Sequence, residues 1–366
     1  MANRAASWDD HVFSIADLNE KGSAKLPPMY REYYNHGAMD MITLQDNEEA
    51  FNRYKIRPRI LRNVSNIDTS ATICGEKSKF PLALAPVAMQ RLAHPDGEVA
   101  CSRAAAKMGV PMCLSSYSTS SLEDVKAQGS TNAYMVQMCI VRDRSVTLQL
   151  LERAEKAGYK ALFLSVDVPV LGIRLNEARN KFQLPDSLKF PNIVSEFGDK
   201  DDRMAYDDTI EWDELLEWLR GHTKMEIWFK GVTSPEDVEK AVSYGVDGVI
   251  ISNHGGRQLD GVPSTLDALR QCAPSAKGKI RIGMDGGIRR GTDIFKAIAL
   301  GAEFVLLGRA TIWGLAYKGQ AGVELALQIL LAEFKTTMAL AGCRAVSDIS
   351  VNHLSVLGVN GILAKL

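Results

Sequence analysis

An imidazole, a guanidinium and two glycines stand together in Ser252-Asn253-His254-Gly255-Gly256-Arg257-Gln258. Histidine titrates near neutrality and can take a proton, and a guanidinium can grip a carboxylate with two hydrogen bonds. The paired glycines leave the imidazole accessible. A structural histidine beside a surface arginine would give the same peptide. A second glycine-rich stretch, Asp285-Gly286-Gly287-Ile288-Arg289-Arg290-Gly291, and the tripeptide Leu307-Gly308-Arg309 offer backbone N–H groups together with Arg289 or Arg309. Those donors suit a phosphate, although tight turns would need the same glycines for backbone reasons. Lys230 follows the apolar run Ile227-Trp228-Phe229, where an ammonium is costly without an anion nearby. It fits an electrostatic role, a Schiff-base role, or an amine that reaches solvent past a rim.

Eight short apolar runs position these groups: Leu82–Pro86, Met112–Ser116, Ala133–Met138, Ala161–Asp167, Ile227–Gly231, Gly248–Asn253, Arg281–Gly287 and Phe304–Arg309. Each is too short for a helix and lacks strict alternation, as suits parallel strands buried on both faces. Helical stretches lie between them, among them Asp96–Met108, Ser121–Gln128, Ser145–Ala157, Pro235–Tyr244 and Thr292–Leu300. Gly109, Gly129, Gly158, Gly245 and Gly301 follow these stretches, where a left-handed residue often ends a helix. The alternation predicts an α/β chain folded as a (β/α)8 TIM barrel. A doubly wound sheet would want G-x-G-x-x-G after the first strand, and Ala85-Pro86-Val87-Ala88 stands there instead. In a barrel, Ser115, Gln137, Asp167, Lys230, His254, Arg257, Asp285 and Arg309 would gather on the C-terminal rim.

The expected organisation is a single domain over 1–366. An N-terminal helical extension, 1–75, packs on or beneath the barrel and closing helices of 76–366. Val323–Ala341 reads as a long closing helix. The connection from Val168 to Glu226 is long enough for a lid, with a polar middle at Ser195–Asp208 and the acidic cluster Gly198-Asp199-Lys200-Asp201-Asp202.

With 43 Lys and Arg against 44 Asp and Glu, the chain lacks the basic excess expected of a nucleic-acid or anionic-membrane binder. No apolar run is long enough for a transmembrane helix, and Met1 to Asp10 does not read as a secretory signal. Six cysteines without a C-x-x-C pair read as reduced, mostly buried thiols. The histidines do not cluster and H-E-x-x-H is absent, so no metal site is expected.

Six peptides carry a family resemblance: Ala85-Pro86-Val87-Ala88-Met89-Gln90, Ser115-Ser116-Tyr117, Val166-Asp167-Val168-Pro169, Lys230-Gly231-Val232, Ser252-Asn253-His254-Gly255-Gly256-Arg257-Gln258-Leu259-Asp260 and the double-glycine peptide from Asp285 to Gly291. From Leu26 to Leu340 the chain resembles the FMN-dependent 2-hydroxy acid oxidases, the glycolate oxidase and long-chain hydroxy acid oxidase group. The resemblance implies that His254 is the catalytic base, partnered by Asp167, and that Arg257, Arg174 and Tyr33 hold the substrate carboxylate. It places Lys230 at the N1/O2 edge of the flavin, which favours the electrostatic role over the Schiff base. Pro86, Val87, Ala88, Ser115, Gln137, Ser165 and Ser252 would line the isoalloxazine and ribityl chain. Asp285, Gly286, Gly287, Arg289, Gly308 and Arg309 would hold the ribityl and phosphate. The implied reaction oxidises an (S)-2-hydroxy acid to the 2-oxo acid, with O2 reduced to H2O2. His254 takes the hydroxyl proton as hydride leaves the α-carbon, or takes the α-proton itself.

The chain departs from that family at two substrate positions. Cys139 stands where the family has a tyrosine, and Tyr117 where glycolate oxidases have a tryptophan. A thiol is a shorter and weaker donor. Two smaller side chains imply a roomier pocket and a substrate larger than glycolate. A dehydrogenase using another acceptor and a flavin-binding protein that has lost its chemistry are the alternatives. Ala364-Lys365-Leu366 resembles the S-K-L peroxisomal address, which would bring in an import receptor. The family resemblance also implies a homotetramer.

Overall fold

The eight apolar runs form one closed parallel barrel in a computed structural model that describes residues 7–129, 131–193, 204–358 and 361–366. Its strands are β1 Leu82–Leu84, β2 Met112–Ser115, β3 Tyr134–Met138, β4 Ala161–Ser165, β5 Glu226–Val232, β6 Gly248–Ile251, β7 Arg281–Asp285 and β8 Phe304–Leu307. Neighbours in sequence pair in order, and β8 closes on β1 with Val305 beside Leu82 and Leu307 beside Leu84.

The lack of alternation has a direct cause. Ala83, Ala85, Ala161, Phe163, Phe304 and Leu306 point inward and form the barrel interior with Cys113, Met135, Trp228 and Ile250. Their neighbours Leu82, Leu84, Leu162, Leu164, Val305 and Leu307 belong to the larger core under the helices. Each strand therefore buries both faces and reads as apolar throughout.

The intervening helices include Gly97–Met108, Leu122–Ala127, Arg144–Ala157, Pro235–Ser243, Thr265–Ala276 and Gly291–Ala299. Ser234 caps Pro235–Ser243, its hydroxyl accepting from the Asp237 N–H. Gly109, Gly158, Gly245 and Gly301 have positive φ, as the helix ends require. Gly129 does not. It is small for lack of space, since the Tyr134 hydroxyl and the Ala106 side chain lie where its Cβ would be. The closing helix is longer than its periodicity suggests. It begins at Arg309, runs to Ala341 and breaks at Lys318–Gly319, so its first part directly follows β8.

The N-terminal residues serve both ends of the barrel. Ala71–Ile73 and Glu76–Ser78 form a hairpin immediately before β1, which sends Ile73 and Cys74 into the barrel interior from the N-terminal side. A boundary at residue 75 falls in the turn of this hairpin. Helices Pro28–Asn35 and Ile42–Arg53 lie on the opposite rim. There the Ala38 N–H donates to the Gly256 carbonyl (2.8 Å), the Asp260 carboxylate accepts from the Thr43 N–H (2.8 Å), and the Asn47 amide donates to Asn253 (2.9 Å). Tyr54–Ile56 pairs with Leu354–Leu357, which pairs in turn with Leu363–Lys365.

The connection between β4 and β5 carries helices Leu175–Asn180 and Trp212–His222. The acidic cluster at 198–202 lies outside the described residues. Among the described residues no helix is long and apolar enough to cross a membrane.

Ile73 is fully buried at the end of the barrel remote from the polar rim. Truncation to Ala leaves a cavity among side chains that cannot all collapse, at a cost of about 2–5 kcal/mol. The Ile73→Ala protein is expected to unfold at lower urea by that amount while its catalytic constants stay those of wild type.

Candidate active site

A cavity of about 410 Å³ opens at the C-terminal rim. It gathers Pro86, Val87, Ala88, Ser115, Gln137 and Ser165 from the ends of β1 to β4 and Lys230 from β5. His254 and Arg257 follow β6, Asp285, Gly286, Gly287 and Arg289 follow β7, and Gly308 and Arg309 follow β8. Tyr33 enters from helix Pro28–Asn35, Tyr117 and Cys139 from the connections after β2 and β3, and Arg174 from the long connection. Of the site residues expected from the sequence, Asp167 and Ser252 stand behind the lining.

His254 reaches the cavity through a sharp turn. His254, Gly255 and Gly256 all have left-handed backbones, with φ of 57°, 63° and 74°. For a residue with a side chain this costs roughly 1–2 kcal/mol. The Ser252 hydroxyl accepts from the His254 N–H (3.1 Å) and the Asn253 side chain from the Gly256 N–H (3.1 Å), which holds the turn. Nδ1 of His254 then lies 3.3 Å from each carboxylate oxygen of Asp167. Burial works against the Asp167 charge, but His254 and Lys230 more than offset it and hold the carboxyl below its ordinary range. Gly231 makes room for this carboxylate, since a Cβ there would run into it. The pairing of β5 with β6 shifts register between Lys230 and Val232, so the motif Lys230-Gly231-Val232 reads as a bulge.

Lys230 is buried. Its ammonium lies 2.9 Å from Asp285 and donates to Ser252 (3.0 Å). Burial opposes its charge, but Asp285 and Asp167 win and raise its pKa. An ammonium so held is a poor Schiff-base nucleophile.

Two arginines line the same cavity as the imidazole. Arg257 pairs with Glu177 at 2.9 Å and lies over the Tyr33 ring at 4.6 Å, and that ring stacks on Phe182 at 4.4 Å. Arg174 lies 3.6 Å from the same Glu177 and donates to the Arg257 carbonyl (3.2 Å). Burial and the Arg257 charge lower the Arg174 pKa.

The opposite end of the cavity also carries more positive than negative charge. Arg309 spends its donors on the carbonyls of Tyr34, Gly255 and His36 at 2.8–2.9 Å. Burial, then Arg257 and Arg289, push its pKa down to about 9. Arg289 meets Glu48 at 2.6 Å and covers the Trp313 ring. The helix that begins at Arg309 has no side-chain cap. Oδ1 of Asp285 is buried without a partner among the described residues. An acceptor awaiting a hydroxyl, beside guanidinium groups and an uncapped helix start, fits a phosphorylated polyol. The FMN ribityl phosphate is such a group, so the residues present fit FMN.

Sequence reasoning missed Glu177 and Tyr206. Glu177 carries a signal, its spacing of three from Arg174 on helix Leu175–Asn180. Tyr206 sits in an irregular stretch of the long connection and carries none. Together with Phe190 and Tyr117 it walls the side of the cavity near Cys139. A phenol from the loop thus lies beside the short Cys139 side chain. The cysteines among the described residues are free, and burial raises the Cys139 pKa to about 12, with Asp167 adding to the rise.

A parallel barrel whose rim fits a phosphorylated polyol beside a paired imidazole suits a flavin-dependent oxidoreductase. The sequence matches the FMN-dependent dehydrogenase family over residues 22–356, and the chain belongs to that family, in its 2-hydroxy acid oxidase group, with FMN as cofactor. It is similar to Oxidase FUB9 of Fusarium oxysporum f. sp. lycopersici, 52% identical over 99% of this chain and 96% of that protein. It is also similar to a peroxisomal (S)-2-hydroxyacid oxidase of Arabidopsis thaliana, 43% identical over 94% of this chain and 97% of that one. The structure of mandelate oxidase with benzoyl-formic acid superposes with a TM-score of 0.87 at 37% identity, covering 97% of this chain and 100% of that one.

Arg289 is only partly buried and does not hold the fold as Arg309 does. One charged hydrogen bond contributes about 1.5–3 kcal/mol. Arg289→Met is therefore expected to raise the FMN dissociation constant roughly tenfold to a hundredfold, read as recovery of free-flavin fluorescence on dilution.

Proposed function

We propose that the chain oxidises an (S)-2-hydroxy acid with an apolar side chain larger than that of glycolate to the 2-oxo acid, with O2 reduced to H2O2. The observation that carries this reading is the His254–Asp167 pair at one cavity with Arg174 and Arg257. Leu171, Phe182 and Phe190 give that cavity apolar walls, which supports a substrate side chain of some size.

The arginines fix the substrate carboxylate in competition with Glu177, and Tyr33 adds a donor. This orientation leaves the α-carbon and its hydroxyl toward His254. The imidazole takes the hydroxyl proton, and Asp167 stabilises the imidazolium that results. FMN supplies a two-electron acceptor that O2 reoxidises. Lys230, held charged by Asp285, would stabilise negative charge on the bound cofactor. The Cys139 thiol stays protonated near neutrality and serves as neither base nor nucleophile.

The same proposal includes a homotetramer in peroxisomes. Val170, Leu171, Ile173 and Leu259 are exposed near one another at the rim, which supports a subunit contact. The relationship to a peroxisomal oxidase supports the location.

The test is anaerobic visible spectroscopy with (S)-2-hydroxy acids from glycolate to mandelate. The flavin should bleach faster with the larger acids and recover with H2O2 on admission of O2. Bleaching by none overturns the reading, and recovery without peroxide overturns the choice of acceptor. Asp167→Asn should lower the bleaching rate roughly 10²–10⁴-fold with the oxidised spectrum unchanged. The folded Asp167 carboxyl titrates below its unfolded value of about 3.9. Its effect is therefore present above that value and is lost only as pH falls through the lower folded one. The deficit of the Asn variant should thus persist across about pH 5–9.

A further inference from the structure

We propose that Tyr206 is a substrate-binding residue, its phenol donating to an oxygen of the bound acid on the Arg174 side and doing what the Cys139 thiol beside it cannot. The inference rests on the reading of the cavity as a 2-hydroxy acid site.

The backbone fixes Tyr206 in place although it belongs to a long connection. Tyr206 forms an antiparallel bridge with Val141. The Arg142 N–H donates to the Ala205 carbonyl (3.0 Å), and the Asp207 N–H donates to the Ile140 carbonyl (3.0 Å). The Asp207 carboxylate is held by Arg144 at 2.8 Å. The loop is thereby zipped to the strand extension that starts at Cys139, so the phenol enters the cavity at that residue's flank.

Its surroundings point to a ligand. The ring meets Tyr117 edge-on at 6.3 Å, and both line the cavity with Arg174 and His254. The Tyr206 hydroxyl has the Tyr117 phenol as its partner, and a neutral phenol is a weak acceptor. A carboxylate is the stronger acceptor for a buried phenol, and the bound acid would supply one. Burial, then Tyr117 and Cys139, raise the Tyr206 pKa, so it remains a donor at working pH. Arg174 lies near enough to act on the same group electrostatically.

Tyr206→Phe keeps the ring and the zipped loop while removing the donor. The expected result is a KM for the hydroxy acid raised roughly tenfold to a hundredfold, more than kcat falls, with thermal stability and flavin absorbance near wild type. The dissociation constant of oxalate, read from perturbation of the flavin spectrum without turnover, should rise in parallel. Cys139→Tyr should impair the wild type, where Tyr206 already fills the corner, and should restore KM in a Tyr206→Ala background. An unchanged oxalate constant in Tyr206→Phe overturns the assignment of Tyr206 alone. No oxalate perturbation and no hydroxy-acid bleaching in wild type would overturn the reading of the cavity and this assignment with it.

Discussion

Charge that has been taken out of water must be balanced, and the rim of this barrel is not balanced by its own residues. Lys230 has Asp285, the imidazole has Asp167, and Arg257 and Arg174 share one carboxylate. Arg309 has only backbone carbonyls. The remaining positive charge lies at two places, one beside the imidazole and one beside the glycine turns after β7 and β8. A substrate carboxylate and a cofactor phosphate answer those two excesses. Much of the surrounding architecture keeps them apart yet within one cavity. The hairpin seals the far end, the N-terminal helices roof the near one, and Gly231 leaves the volume that Asp167 fills.

What could be read from the sequence was what repeats or what is chemically unusual. The strands were legible because a surface buried on both faces leaves a continuous apolar run. The rim groups were legible because a histidine, a lysine or an arginine directly after such a run has few innocent explanations. The hairpin of Ala71–Ser78 was not legible, because two three-residue strands carry no period. Helix Thr265–Ala276 was obscured by Pro274 inside it. Tyr206 depends on where a long connection returns, and that is decided by backbone pairing with residues 140–142, while Glu177 depends on the start of that connection docking on Met39 and Gln258.

Cys139 and Tyr206 show how a barrel of this kind divides its rim between strand ends and loops. Strand positions are rigid, so a truncated side chain leaves a gap that neighbours on the sheet cannot close. Loops can close it, provided that something fixes their register, and the bridge between Val141 and Tyr206 does so. The lining of the substrate region is consequently shared between rigid strand ends and a pinned segment of loop. That division separates the proton-transfer pair, held by strand ends, from a wall that a loop helps to build.

The backbone at residue 254 has a consequence for selection. A φ of 57° suits glycine or asparagine better than histidine. Judged by stability alone, the chain would drift toward those residues, and a variant carrying one of them would relax a strained turn while losing the imidazole. Position 254 is therefore a point where folding and turnover pull in opposite directions. A histidine on such a backbone gives up local stability for an imidazole aimed into the cavity.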